Sequence, residues 1–190
     1  MRIIGGRLRG LKLSAVGKRR AGSQLRPTTG RVRESLFNLL LGGRFGDPVT
    51  GAQVLDLFAG TGALGLEALS RGATFATFVE NGRAATKIIQ ENVARAGVEG
   101  ETRLVRGDVT RLVATSGEPA TLVFLDPPFR RELGGPALIA AWSGGWIADG
   151  ALIAWEEADE VAPPQGIARI DFRRYGDVCL NICRMEAPGA

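Results

Sequence analysis

The sequence predicts a doubly wound α/β domain: a mostly parallel seven-stranded sheet with an antiparallel final strand, preceded by a small basic hairpin-and-helix extension. Three observations predict it. Short apolar runs alternate along the chain with segments of helical period. One run, Val54-Leu55-Asp56-Leu57, turns through Phe58-Ala59-Gly60-Thr61-Gly62 and continues at once as a helix, the strand–glycine turn–helix unit that opens such domains. Finally, the last two apolar runs leave no room between them for a helix, so they pair antiparallel.

The elements follow in order. Arg2-Ile3-Ile4 and Leu11-Lys12-Leu13, separated by Gly5, Gly6 and Gly10, form a small hairpin with Arg7 and Arg9 exposed. Residues 14–25, small and basic, read as a mobile loop. Pro27, Thr28 and Thr29 then stop the loop and cap a helix whose apolar face is Val32, Leu36, Phe37, Leu39 and Leu40. Arg31 and Arg33 stand near its start, where the helix dipole disfavours cations, which hints that a partner needs their charge. Residues 73–79 make a second strand ending on Glu80, and a helix over 83–96 buries Ala84, Ile88, Val93 and Ala96. A third strand over 102–105 closes on Asp108, and a short helix covers 110–115. Leu122-Val123-Phe124-Leu125 is apolar throughout and therefore buried on both faces. It delivers Asp126-Pro127-Pro128-Phe129. A helix over 136–142, a strand over 151–155 and a closing pair over 168–172 and 178–185 complete the body. Residues 1–48 are thus an extension and 49–190 the main domain.

The net charge of +4 conceals an uneven distribution. Residues 1–33 hold ten of the 24 Lys and Arg and no acid, which leaves 14 bases against 20 acids in the remainder. A basic arm on an acidic body is the footprint of a polyanionic partner. The chain has no His, which removes Ser-His and Cys-His hydrolases and argues against a metal centre. Cys179 and Cys183, four apart on one strand, lie too far from each other for a disulfide and read as buried thiols. There is no signal-peptide pattern and no apolar run of about 20 residues. The expectation is a cytoplasmic monomer.

Gly60, Gly62 and Gly65 spell a dinucleotide-type turn with Glu80 about 20 residues beyond. Asp56 argues against a dinucleotide, because a carboxylate there would face a pyrophosphate. S-adenosylmethionine, a sulfonium and an ammonium without phosphate, suits the place better. Acids at successive strand ends describe a nucleoside lying across the sheet: Glu80 accepts from the ribose hydroxyls and Asp108 from the adenine amine. The candidate cofactor set is Asp56, Phe58, Gly60, Gly62, Glu80, Asp108 and Val109. In the Asp-Pro-Pro-Phe stretch, Asp126 and the Pro127 carbonyl can both accept from one planar amine, and Phe129 offers a face for a base. Two acceptors localise the nitrogen lone pair, and in-line placement against the donor methyl supplies much of the rest. On these residues alone the amine could belong to RNA or to DNA adenine or cytosine. A catalytically silent RNA-binding sheet and an NAD-dependent oxidoreductase are the other readings.

Phe58-Ala59-Gly60-Thr61-Gly62 followed by Asp126-Pro127-Pro128-Phe129 resembles the amino-methyltransferase branch of the Rossmann-like S-adenosylmethionine-dependent enzymes. The N-terminal RIIGG, then RPTTGRVRESLFNLL and VLDLFAGTGALGLEALSRGA, resemble the RsmD family more narrowly, over about residues 2–185. The resemblance implies methylation of the exocyclic N2 of a guanine in 16S rRNA within the small ribosomal subunit. It implies amine activation by Asp126 with Phe129 against the base, and RNA contact through a basic arm, here Arg7, Arg9, Lys12, Arg26, Arg31 and Arg33. Gly30, where the family often has Asp, and Asn81, where the wider class often has an apolar residue, depart from the pattern.

Overall fold

In a computed structural model, residues 1–15, 30–128 and 131–186 are described. Helix α1 (Gly30–Leu41) precedes an alternation of β1 (Gln53–Leu57), α2 (Ala63–Ser70), β2 (Phe75–Glu80), α3 (Arg83–Ala96), β3 (Thr102–Arg106), β4 (Ala120–Leu125), α4 (Gly134–Ser143) and β5 (Ile147–Glu157). The chain closes with β6 (Ile167–Tyr175) and β7 (Val178–Met185). Seven strands form one sheet in the order β3-β2-β1-β4-β5-β7-β6. The pairs from β3 to β5 are parallel, and β7 runs antiparallel to both of its neighbours. The strand order reverses between β1 and β4, which opens the crevice where ligands of such sheets bind.

Each face of the sheet has its own core. On one, Phe78, Phe124, Leu152 and Ile182 meet Leu66 and Leu69 of α2, Ile89 of α3, and Leu36, Phe37 and Leu40 of α1. On the other, Leu57, Val123, Leu125 and Ile153 meet Leu138 and Ala141 of α4. The predicted strands and helices are all present, with two differences. Residues 110–115 hold only a single 3-10 turn, Val109–Arg111. And α3 buries Ala85, Thr86, Ile89, Asn92 and Val93 rather than Ala84 and Ile88. Its buried face is rotated by one residue because Thr86 and Asn92, polar in sequence, find internal hydrogen bonds there. The predicted loop beyond residue 15 and the capping residues Pro27, Thr28 and Thr29 lie outside the described residues.

The N-terminal segment is an antiparallel turn closed at Arg2 and Lys12. It buries Ile3 and Leu13 in the same core as α1 and α2. What fastens it is Glu67, a fully buried acid on α2. Its Oε2 accepts from Ile4 N at 2.8 Å, and its Oε1 accepts from Gly5 N at 2.8 Å and from Arg71 Nε at 2.8 Å. Arg33 Nε stands 3.5 Å from Glu67 Oε2, and Arg33 Nη2 donates to Arg2 O at 2.5 Å. Arg33 is 1% exposed. It is therefore no RNA ligand, contrary to the sequence expectation. The cation near the start of α1 answers a buried carboxylate rather than a polyanion.

Removing one member of such a buried pair leaves the other charge without compensation, a loss of about 3–5 kcal/mol. Glu67→Ala is expected to lower the denaturant-unfolding free energy by about that amount and to expose the first fifteen residues to protease. Glu67→Gln, which retains an acceptor for the backbone donors, should lose less.

Candidate active site

The carboxyl ends of four parallel strands meet along one rim, and backbone bonds hold them together. Gly107 N donates to Glu80 O at 3.2 Å, joining the ends of β3 and β2. Ala59 N donates to Val79 O at 3.1 Å, and Asp126 N donates to Leu57 O at 3.4 Å. Together they tie β2, β1 and β4. The loop leaving β1 starts at Phe58, whose φ of 60° lies in the left-handed region that few side chains enter. Gly60 (φ 58°) and Gly62 (φ 75°) carry the same hand onward; Gly60, half-buried, leaves bare backbone at the crevice, whereas Gly62 is buried against Phe78 and Ile89. Gly65 serves close packing. A Cβ there would come within 2.5 Å of the Phe78 ring, and its N–H donates to Asp56 Oδ2 at 2.9 Å.

The acids of the rim differ in role. Asp56 is 1% exposed. Burial pushes its pKa well above the ordinary range; the Gly65 N–H opposes this, and nearby Asp126 and Glu80 add to it. Asp56 therefore lies closed off beneath the turn, bonded to the start of α2, with its carboxyl biased toward the neutral form. Glu80 is half-buried, with Oε2 accepting from Gly60 N at 2.8 Å and Oε1 from Gly82 N at 2.7 Å. It shapes the glycine turn, and each oxygen keeps a lone pair for a diol. Asp108 caps the 3-10 turn, accepting from Thr110 N at 2.9 Å and from Thr110 Oγ1 at 2.8 Å. Those bonds, the hydroxyl's first, hold its carboxyl below the usual range. Its side chain is 51% exposed and Arg111 Nε lies 3.9 Å away. Val109 is 2% exposed and belongs to the core that holds Leu57 and Val79, so it offers a ligand almost no surface.

Asp126 is half-buried at the end of β4, directly beside the turn that leaves β1, and buried Pro127 follows it. Phe129, expected against the base, lies outside the described residues, as does Arg26. Of the remaining arm residues, Arg7, Arg9, Lys12 and Arg31 are exposed, and Arg7 also pairs with Glu101. Sequence reading missed Asn92, which donates to Thr61 O inside the glycine turn at 2.9 Å. Nothing in a helical wheel distinguishes a buried Asn from a surface one. A cavity of about 240 Å³ lies at the opposite rim, lined by Phe45, Asp47, Thr121 and Arg184 among others. It lacks a free acid: Asp47 is taken up by the N–H groups of Val49 and Thr50.

The crevice accordingly offers the bare backbone of Gly60, the buried Asp56 and the half-buried carboxyl groups of Glu80 and Asp126, with Arg111 beside Asp108 at its outer edge. Such a field favours a cationic ligand and opposes a pyrophosphate. The glycine cradle and the acids Glu80 and Asp108 fit a positively charged nucleoside, which is the chemical character of S-adenosylmethionine.

Known proteins share this sequence and fold. A family model described as conserved hypothetical protein 95 matches residues 1–184. The chain is 41% identical over 192 residues to ribosomal RNA small subunit methyltransferase D of Escherichia coli K12, covering 100% of this chain and 92% of the relative. The protein of the same name from Haemophilus influenzae is 35% identical over 156 residues, covering 80% and 76%. Among solved structures, Escherichia coli yhhF, described provisionally as a methyltransferase, matches with a TM-score of 0.82 at 41% identity over 98% of each chain. An RNA methyltransferase from Salinibacter ruber, solved with S-adenosyl-L-homocysteine, shares the fold at 15% identity and a TM-score of 0.65, over 87% of this chain and 98% of that one.

Asp56 supplies a test of the electrostatics. Its raised folded pKa means that ionisation costs stability as pH rises from the unfolded value through the folded one, and the cost vanishes below both. Asp56→Asn keeps an acceptor for Gly65 N–H and removes the charge. Its thermal midpoint should equal or exceed that of the unsubstituted protein near pH 8, with the advantage shrinking as the pH is lowered toward about 4.

Proposed function

From the premise that the chain belongs to the RsmD family of ribosomal RNA methyltransferases, we propose that it methylates the exocyclic N2 amine of a guanine in 16S rRNA within the small ribosomal subunit, using S-adenosyl-L-methionine. The observation that carries the reading is the gathering of Asp56, Glu80 and Asp126 at the glycine turn, close enough for the latter two to act on Asp56. Bound there, S-adenosylmethionine supplies a methyl group made electrophilic by its sulfonium. Glu80 and Asp108 would hold the ribose and adenine, and the backbone at Gly60 would admit the amino-acid portion, with Asp56 beneath the turn that carries it.

The chain's own part in the reaction lies at Asp126. An exocyclic guanine amine is a weak nucleophile because its lone pair is shared with the ring. The Asp126 carboxylate and the Pro127 carbonyl accept its two N–H bonds and leave the lone pair directed away from both acceptors. Backbone bonding of Asp126 N to Leu57 O fixes this pair relative to the turn, which limits the motion that in-line geometry must overcome. Phe129 provides the stacking surface. Arg7, Arg9, Lys12 and Arg31, with Arg26, form the RNA-facing surface of residues 1–48, and the protein works as a cytoplasmic monomer.

Methyl transfer to small subunits, naked 16S rRNA and duplex DNA tests the substrate, with the modified nucleotide mapped by reverse transcription. The highest rate on subunits is expected; the highest on duplex DNA would contradict the reading. Asp126→Ala should lower turnover by about a hundred-fold or more, with the dissociation constants for subunits and for S-adenosylhomocysteine nearly unchanged.

Replacing Arg7, Arg9 and Lys12 together by Ala should weaken subunit binding. It should also reduce the slope of log affinity against log salt by about two. Because Ile3 and Leu13 belong to the core, such surface replacements test the arm without the unfolding that truncation would cause.

A further inference from the structure

Asn92 is fully buried on α3, yet none of its side-chain bonds serves that helix. Its Oδ1 accepts from Ser14 N at 2.7 Å, and its Nδ2 donates to Ser14 O at 3.1 Å and to Thr61 O at 2.9 Å. Ser14 lies next to the end of the described part of the basic arm, and Thr61 is the middle residue of the Gly60-Thr61-Gly62 turn. One amide thus joins two segments that the proposed function assigns to different ligands, the arm to RNA and the turn to the methyl donor. The three bonds also fix which end of the amide is oxygen, since Ser14 N can only donate and both carbonyls can only accept.

We propose that Asn92 is a positioning residue that couples RNA engagement by the arm to donor binding at the turn. The inference rests on the functional reading above and deepens it. The turn cannot shift the Thr61 carbonyl, nor the arm shift Ser14, without breaking bonds of a buried group that water cannot replace. A ligand that shifts either segment therefore shifts the other through Asn92, and the second ligand meets a partner already in place. Arg95 also reaches the arm, donating to Lys12 O at 3.2 Å, but it does not touch the turn. Asn92 alone among the described hydrogen bonds spans arm and turn directly.

Coupling of this kind is reciprocal, and it is measured as a ratio of affinities. The affinity of unmethylated small ribosomal subunits is to be measured with and without saturating S-adenosylhomocysteine, for the unsubstituted protein, Asn92→Ala and Ser14→Pro. Ser14→Pro deletes the arm's donor, so one of the two Asn92–Ser14 bonds is lost while the Asn92–Thr61 bond keeps both its partners, and it carries the test if Asn92→Ala folds poorly. The expected ratio is about five-fold or more for the unsubstituted protein, with the same factor seen in S-adenosylhomocysteine affinity when subunits are added. It should fall to about one in Asn92→Ala and clearly below the unsubstituted value in Ser14→Pro. A purely structural Asn would lower thermal stability or both affinities and leave the ratio in place. An unchanged ratio in the folded variants, or a ratio of one in the unsubstituted protein when both ligands bind, overturns the coupling and spares the functional reading. Failure of either ligand to bind at all overturns the reading and the coupling with it.

Discussion

The buried carboxylate of Glu67 is the constraint around which the molecule is arranged. Helix α2 is buried at all eight positions, an unusual environment for an acid, and the charge is tolerated because two backbone N–H groups, Arg71 and Arg33 converge on it. That convergence joins the N-terminal segment, α1 and α2 into one layer. Arg71 extends it by lying 4.9 Å over the ring of Phe37, which in turn meets Phe124 of the central sheet at 5.6 Å. Because α2 begins at the glycine turn, the element that carries the ion cluster also sets where the turn sits. Fastening of the arm and geometry of the ligand crevice therefore share one short helix.

At the other end of α2 the electrostatics reverse. The crevice gathers carboxyl groups at the ends of neighbouring strands, whereas the arm gathers cations on a surface exposed to solvent. The molecule thus presents an acidic interior to a cationic donor and a basic exterior to a polyanion. Backbone hydrogen bonds between neighbouring strand ends keep the two from depending on mobile side chains. This division accounts for a modest net charge that composition alone would not have linked to nucleic acid.

Much of the fold was legible in the sequence. β-Strands buried on both faces are continuous apolar runs, and β4 and β7 were placed almost to the residue for that reason. The glycine turn was equally plain, because its positive φ values demand glycine at two of the five positions. The face of α3 was read one residue out of register. Thr86 and Asn92 count as polar in any periodicity, while their burial depends on partners far away in sequence, Ser14 and Thr61 in the case of Asn92. Arg33 was misread for the same cause: a basic residue beside other basic residues looks like a polyanion surface until the acid that faces it is located.

Residue type and local spacing were enough to set the order of strands and helices, the glycine turn, the identity of the acids at the strand ends and the Asp-Pro-Pro segment. Tertiary structure alone decided which of those acids reach solvent, that Asp56 lies under the turn, that Val109 turns inward, and that Arg33 and Asn92 are internal links. The physical reason is that burial and pairing of polar groups are set by residues tens of positions distant. No local pattern records whether a charge will meet water or another charge.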